Sequence, residues 1–401
     1  MGKSYNTRSS RFGLWLGLAV LLVLGLGACS ADSSGFGAEE AGDAPSDNGN
    51  QDVEVQPGLL TAGEWRDLDH WQFWRELVGP LRPFEHMESL WGYDTSRRMP
   101  VLVLDASEQP VVDAQVVLSD RGTGELVWVA RTDNQGRAEL FVDLFELAPH
   151  GELVDLVLEA DAGRASARLE GASTGQLQTL VLDNAAPAPE LALDLMFVID
   201  TTGSMGDELG YLQAELEDVI ERVKQSVGAE LRVRLSVNFY RDEGDAYVLR
   251  DHAFTQDVEK AVAVLRQESA AGGGDYPEAF DVGLSNAIEE HQWSESARSR
   301  MLFVLLDAPP HSERAGVVER IQAANAEAAR KGVRIFPIAA SGINKETEFL
   351  MRLLDVSTGG SYIFLTDDSG IGDAHLEPTV GDYDVEPLND LLVRLIGDSL
   401  R

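Results

Sequence analysis

Apolar residues along this chain change their period several times, and each change marks a candidate element. Over 191–199 the run is almost continuously apolar, the pattern of a parallel strand covered on both faces. Behind it Leu209, Leu212, Leu216, Val219, Ile220, Val223 and Val227 form a stripe at helical spacing. Further strands are expected at 231–239, 301–306, 333–338 and 361–365, with helical stretches between and after them. Strands alternating with amphipathic helices imply a doubly wound parallel α/β sheet over 188–399. Pro337 interrupts the fourth of these strands; proline lacks a ladder donor, so it is expected at the strand's end or edge.

Upstream the period shortens to two. Ala114, Val116 and Leu118 share one face, as do Ala138, Leu140, Val142 and Leu144, and again Val154, Leu156, Leu158 and Ala160. About seven such strands over 99–184 fit a small all-β sandwich. Residues 185–189 read as a Pro-Ala linker. Over 58–98, Trp65, Leu68, Trp71, Trp74 and Leu77 recur at helical spacing, which predicts a helical segment whose rings pack on a neighbouring domain; an exposed aromatic platform is the alternative. Residues 29–57 are rich in Ser, Gly, Ala, Asp and Glu and bury too little to fold, so they read as a flexible tether.

At the N-terminus Lys3, Arg8 and Arg11 precede an uncharged apolar run over 12–27, too short for a typical membrane span and suited to an export signal over 1–28. Leu26-Gly27-Ala28-Cys29 resembles the lipobox of bacterial lipoproteins. The resemblance implies that Cys29 becomes the first mature residue and carries acyl chains; an uncleaved signal anchor or a plain secretory peptide are the other readings. Cys29 is the only cysteine, so no internal disulfide can form. Ser30 follows it, which points to the cell envelope with the outer membrane or cell surface ahead of the inner membrane. With 401 residues and 44% hydrophobic content the chain can build more than one core. Its formal charge of −36 repels phosphate backbones and makes nucleic acid a poor partner.

Residues just past the carboxyl ends of parallel strands are where open α/β sheets bind ligands. Asp200 is the first such residue. In Asp200-Thr201-Thr202-Gly203-Ser204, alternate residues of an extended loop point the same way, so that one carboxylate and two hydroxyls can converge. Such oxygens suit a hard divalent cation. The stretch resembles the metal-ion-dependent adhesion site of von Willebrand factor A and integrin inserted domains. Two later segments extend the resemblance: Gly272-Gly273-Gly274-Asp275-Tyr276-Pro277-Glu278-Ala279, where Asp275 matches a position usually held by threonine, and Leu305-Leu306-Asp307-Ala308-Pro309-Pro310-His311, where Asp307 matches the last acidic ligand. Together with Tyr240-Arg241-Asp242 and the Trp293 region, the variant looks most like the A domain of hemicentin and its bacterial relatives. The resemblance implies metal ligation by Asp200, Thr202, Ser204, Asp275 and Asp307, with Mg²⁺, Mn²⁺ or Ca²⁺ as the ion. A third carboxylate at Asp275 would leave the ion with a net charge of about −1 and weaken its attraction for a partner's carboxylate. Either Asp275 acts through water, or the ion is mainly structural. The bland alternative for Asp200, Thr202 and Ser204 is helix capping. Arg241, Asp242 and Asp245 read as a solvated loop, and His311 as a loop histidine, with a supporting role beside the metal as the alternative.

The run Gln109-Pro110-Val111-Val112-Asp113-Ala114, with Arg131-Thr132-Asp133 and Gly136-Arg137-Ala138, resembles the carboxypeptidase regulatory-like β-sandwich, which implies spacing or docking. The whole layout suggests an anchor, a tether, a β spacer and a distal recognition domain that docks a protein offering an acidic side chain. A structural envelope lipoprotein and a metal-dependent hydrolase are the competing classes. Against the last, there is no His-Glu-x-x-His pair and no Gly-x-Ser-x-Gly elbow.

Overall fold

The computed structural model describes residues 56–145, 155–228, 230–274, 276–372 and 374–401. The signal segment, Cys29, nearly all of the tether, Val154 and Asp275 lie outside the described residues. Among the described residues no helix is long and apolar enough to cross a membrane.

The first element corrects the helical reading of 58–98. Residues Thr61–Trp65 form strand β1, and Trp65 ends it rather than opening a helix. Only Trp71–Leu77 (α1) and Met87–Trp91 (α2) are helical there. The physical reason is long-range: β1 lies antiparallel between two strands from the far end of the chain, so its backbone groups are met on both sides. Gly63 permits this approach, because a Cβ there would stand 2.6 Å from the Phe364 ring. The aromatic residues are core and not a platform. Trp65, Trp74 and Trp91 are buried, and Trp74 stacks on Phe349 with centroids 5.6 Å apart.

Seven strands follow: β2 (Arg98–Asp105), β3 (Gln115–Asp120), β4 (Leu126–Arg131), β5 (Arg137–Phe141), β6 (Leu156–Asp161), β7 (Ser166–Ala172) and β8 (Gln178–Leu182). They form a three-stranded sheet, β5-β2-β8, and a four-stranded one, β4-β3-β6-β7. Ala114, Val116 and Leu118 point inward with Leu140, Val142, Leu158 and Ala160, and all belong to one hydrophobic cluster. This confirms the alternation as the signal of an all-β region.

The chain then builds β9 (Glu190–Asp200), α3 (Gly206–Val227), β10 (Arg232–Tyr240), β11 (Leu249–Arg250), α4 (Val258–Gln267), α5 (Phe280–Ser285), β12 (Ala297–Leu306), α6 (Val317–Lys331), β13 (Val333–Ala339), α7 (Lys345–Thr358), β14 (Tyr362–Leu365), β15 (Val385–Pro387) and α8 (Leu388–Leu400). The eight-stranded sheet runs β11-β10-β9-β12-β13-β14-β1-β15. Its five central strands are parallel and the outer ones antiparallel. Strand β9 shows why its sequence is apolar without a break. Met196 and Val198 face the cluster shared with α5, α6 and α7, while Leu195, Phe197 and Ile199 face the cluster shared with α3 and α8.

Pro337 sits within β13, opposite Val304 of β12, and not at its end. Ile335 turns its N–H away from β12 to Thr358 Oγ1, and Pro337, two residues on, faces the same way. Pairing with β14 begins only at Ile338, so the missing donor removes no ladder bond.

The all-β region packs on the α6/α7 face. There β4 lies against α6 and β5 against α7. Arg300 of β12 donates to Asp113 at 2.9 Å and Asn134 to the Asp398 carbonyl of α8 at 2.7 Å, while Gln322 of α6 donates to the Trp91 carbonyl of α2 at 2.9 Å. The expected order of spacer then recognition domain needs correction. The chain enters the large sheet first, through β1, and only then builds the small sheets. Gly58 and Leu59 are held at that entry by Glu215 of α3, which accepts their N–H groups at 2.7 and 3.2 Å. Thr61 pairs with Thr366, so β1 starts level with the carboxyl ends of the parallel strands.

Candidate functional site

Three loops meet at those carboxyl ends. Asp200 terminates β9 with its side chain fully buried. Its Oδ1 accepts from the Thr202 N–H at 2.8 Å and from the Thr202 hydroxyl at 2.7 Å. Thr202 Oγ1 in turn lies 3.3 Å from Ser204 Oγ, so the carboxylate and two hydroxyls converge as the spacing requires. Ser204 is exposed and stands at the mouth. Asp307 follows β12 directly and is buried. The loop after α4 presses against the first: Gly203 N–H donates to the Gly272 carbonyl at 3.2 Å, and Ala271 N–H to the Thr201 carbonyl at 3.0 Å.

Between the loops lies a cleft of about 400 Å³, lined by Thr202, Ser204, Gly272, Gly273, Gly274, Tyr276, Glu278, Asp307 and Ser341 among others. Of the residues proposed from sequence, Asp200, Thr202, Ser204 and Asp307 are brought together here. Asp275 lies outside the described residues.

Two acids went unassigned in the sequence reading. Glu278 is 4% exposed and Glu208, in the first turn of α3, is fully buried with its Oε1 accepting from Ser341 N–H at 2.9 Å. Glu278 stands just before α5, where an acid ordinarily serves the helix start, so nothing local marks it as part of the cleft.

The electrostatics are those of crowded carboxylates. Asp200 is pushed up to about 7 by burial and by the charge of Asp307, against the two Thr202 bonds. Burial raises Asp307 too, opposed by a Ser204 hydrogen bond and reinforced by Glu208. Glu278 rises to about 9 through burial and then the charges of Asp200, Asp242, Asp307 and Asp245. Among the described residues, Asp200 Oδ2, Glu208 Oε2, Glu278 Oε2 and Asp307 Oδ1 are buried with no hydrogen-bond partner. Unpartnered carboxylate oxygens in a shared cleft are costly, and they fit a cation better than any neutral group. The carboxylates alone do not complete a cage. Among the described residues no three His, Cys, Asp or Glu side chains are gathered tightly enough to hold an ion by themselves.

The surroundings correct two bland readings. Arg241 and Asp242 are each 5% exposed, not solvated. Arg241 donates to the Ser269 carbonyl and pairs with Glu268, and its guanidinium lies over the Tyr247 ring. Asp245 Oδ2 accepts from Gly273 N–H at 2.9 Å. His311 is 2% exposed, and its Nε2 lies 2.9 Å from Asp242 Oδ1, tying the loop after Asp307 to the loop after β10. Gly273 has φ +71°, and a Cβ there would stand 3.0 Å from Glu278 Oε1 and 3.4 Å from Thr202 Cβ. Gly273→Ala is therefore expected to cost about 1–2 kcal/mol in urea denaturation from left-handed strain alone; an unchanged midpoint would mean that the glycine is not needed there.

An open α/β sheet with an acidic, hydroxyl-bearing cleft at its carboxyl end defines a class of binding domain. Comparison with known families identifies it: residues 194–348 match the profile of the von Willebrand factor A domain, and a domain of that kind occupies this part of the chain. Such domains are in general protein-interaction or adhesion-type modules and typically not enzymes. The chain is also 26% identical over 122 residues to a protein described as an ariadne-like RING finger protein of Acanthamoeba polyphaga mimivirus. That similarity covers 30% of this chain and 12% of the viral protein.

Proposed function

We propose that this protein is a divalent-cation-dependent protein-binding module, tethered to the cell envelope through lipidated Cys29, and not an enzyme. The observation that carries the reading is the set of buried, unpartnered carboxylate oxygens on Asp200 and Asp307 beside the hydroxyls of Thr202 and Ser204. Those four residues would hold Mg²⁺, Mn²⁺ or Ca²⁺, and the bound ion would supply a Lewis-acidic point for a partner's oxygen. Asp275, outside the described residues, would act through water; with Asp200 and Asp307 as the two direct carboxylates the ion stays formally neutralised, and an acidic side chain of a protein partner can still complete it. Outer-membrane or surface placement follows from the Cys29-Ser30 reading.

A structural role, in which the ion only stabilises the loops, is separated by experiment. Asp200→Ala in the full chain is expected to abolish cation-dependent stabilisation, which should otherwise reach about 2–3 kcal/mol at an ion concentration some hundredfold above Kd. Envelope-extract capture with and without chelator then reads partner binding. Loss of capture at unchanged melting temperature assigns the ion to recognition, and loss of stability alone assigns it to structure.

A further inference from the structure

At the opposite end of the sheet from the cleft, a small cavity lies on the seam between the small sheets and the start of β13. It measures about 20 Å³ and is lined by Arg66, Arg131, Arg137 and Arg334 with Asp133 and Glu139, among others. In a chain whose formal charge is −36, four guanidiniums there face two carboxylates. Both carboxylates are already committed. Glu139 accepts from Arg98 at 2.6 and 2.9 Å, and Asp133 Oδ1 accepts from the N–H groups of Gln135 and Arg137, each at 2.8 Å. Arg66 pairs with Asp69, while Arg131 shares the one carboxylate of Asp113 with Arg300. Arg334 is left over. It is half-buried, and among the described residues it makes no hydrogen bond or ion pair; the charges that act on it are those of Asp133 and Asp113 against Arg300 and Arg66.

A guanidinium does not discharge by losing its proton, and one withdrawn from water without a counter-ion is costly. We propose that this cavity binds a single monoatomic anion, chloride in ordinary solution, with Arg334 as its chief donor, and that the ion fastens the small sheets to the A domain. The inference stands apart from the cation site. Size selects the anion: one water needs about 10–15 Å³ of such space, so the cavity takes one ion little larger than water and no phosphoryl group or partner side chain. Position gives the ion its effect. Arg131 and Arg137 come from β4 and β5, Arg334 from β13, so a charge held between them joins both layers. Glycines keep the seam narrow, since a Cβ at Gly332 would stand 3.0 Å from Arg131 Cβ and one at Gly359 would stand 3.9 Å from Arg334 Nε.

The test is thermal melting of the full chain in chelator, with chloride exchanged for gluconate at constant ionic strength so that general screening is equal in both. The wild type is expected to melt about 2–4 °C higher in chloride, with a dependence on chloride concentration that saturates. Arg334→Gln should melt at one temperature in both salts, whereas Arg266→Gln, which removes an exposed arginine of α4 paired with Glu217, should keep the wild-type difference. Wild-type crystals soaked in bromide should show an anomalous peak beside the Arg334 guanidinium. That map decides the matter even if Arg334→Gln fails to fold. A chloride effect equal in the wild type and Arg334→Gln, or a bromide map with no peak in the seam, would overturn the proposal.

Discussion

Replacing Asp67 by alanine is expected to lower the stability of the whole A domain by about 3–5 kcal/mol, although Asp67 lies more than a hundred residues before the matched domain begins. Its carboxylate receives both Nε and Nη2 of Arg352 on α7, at 2.8 and 2.6 Å, and the Trp65 indole N–H at 3.0 Å. Asp67 and Arg352 are fully buried. Arg352 has further partners in Glu348 and the Thr379 carbonyl, and it lies near the Trp74 and Phe84 rings. Removing the carboxylate leaves a desolvated guanidinium short of its bidentate partner. A paired change, Asp67→Leu with Arg352→Met, should recover most of the loss, because well-packed apolar groups of similar volume commonly replace a buried ion pair without penalty. Urea denaturation measures both. A loss of under about 1 kcal/mol in Asp67→Ala would show that the N-terminal strand is dispensable to the sheet. The expected result means that the A-domain fold starts near residue 58, and that a fragment starting at residue 188 lacks a strand of its own sheet.

The second large effect is on the pH dependence of the cation-free protein. Asp200 and Glu278 hold their protons more firmly in the folded chain, up to about 7 and about 9, than unfolded carboxyls do. Folding therefore favours their protonated forms. The stability they contribute is complete below the unfolded carboxyl range, near pH 4, and is lost as pH rises through the folded values. In chelator the melting temperature should fall from about pH 5 to about pH 9. A divalent cation bound as proposed would replace the Asp200 proton, so its stabilising increment should be small at the acid end and largest at the alkaline end. Asp200→Ala should flatten both trends. A chelated wild type whose melting temperature holds level or rises over this window would contradict the crowding of carboxylates described for the cleft.

What the sequence revealed and what it hid follow one division. The parallel strands were legible because both faces of each are buried, which writes a continuous apolar run, and the small sheets because one-sided burial writes alternation. Asp200, Thr202 and Ser204 were legible because their grouping is local: five consecutive residues make the loop. Strand β1 was hidden. Its pairing partners Leu365 and Glu386 lie some three hundred residues away, and the Trp spacing beyond it imitates a helix. Glu278 and Glu208 were hidden for the same reason, since each looks like an ordinary acid near a helix start until the loop after β12 and the end of β13 are brought beside it. Arg241 and Asp242 look solvated because density of charge suggests exposure, whereas the pairing of Arg241 with Glu268 and of Asp242 with His311 allows them to be buried.

The most direct measurement is an anomalous difference map from crystals of the full chain grown with Mn²⁺. The expected result is one strong peak in the cleft, about 2.2 Å from the Thr202 and Ser204 hydroxyl oxygens, with Asp200 and Asp307 bound to it directly or through one water. A map without a peak there at saturating Mn²⁺, or with its main peak away from the carboxyl ends of β9 and β12, would contradict the assignment of this site to a cation.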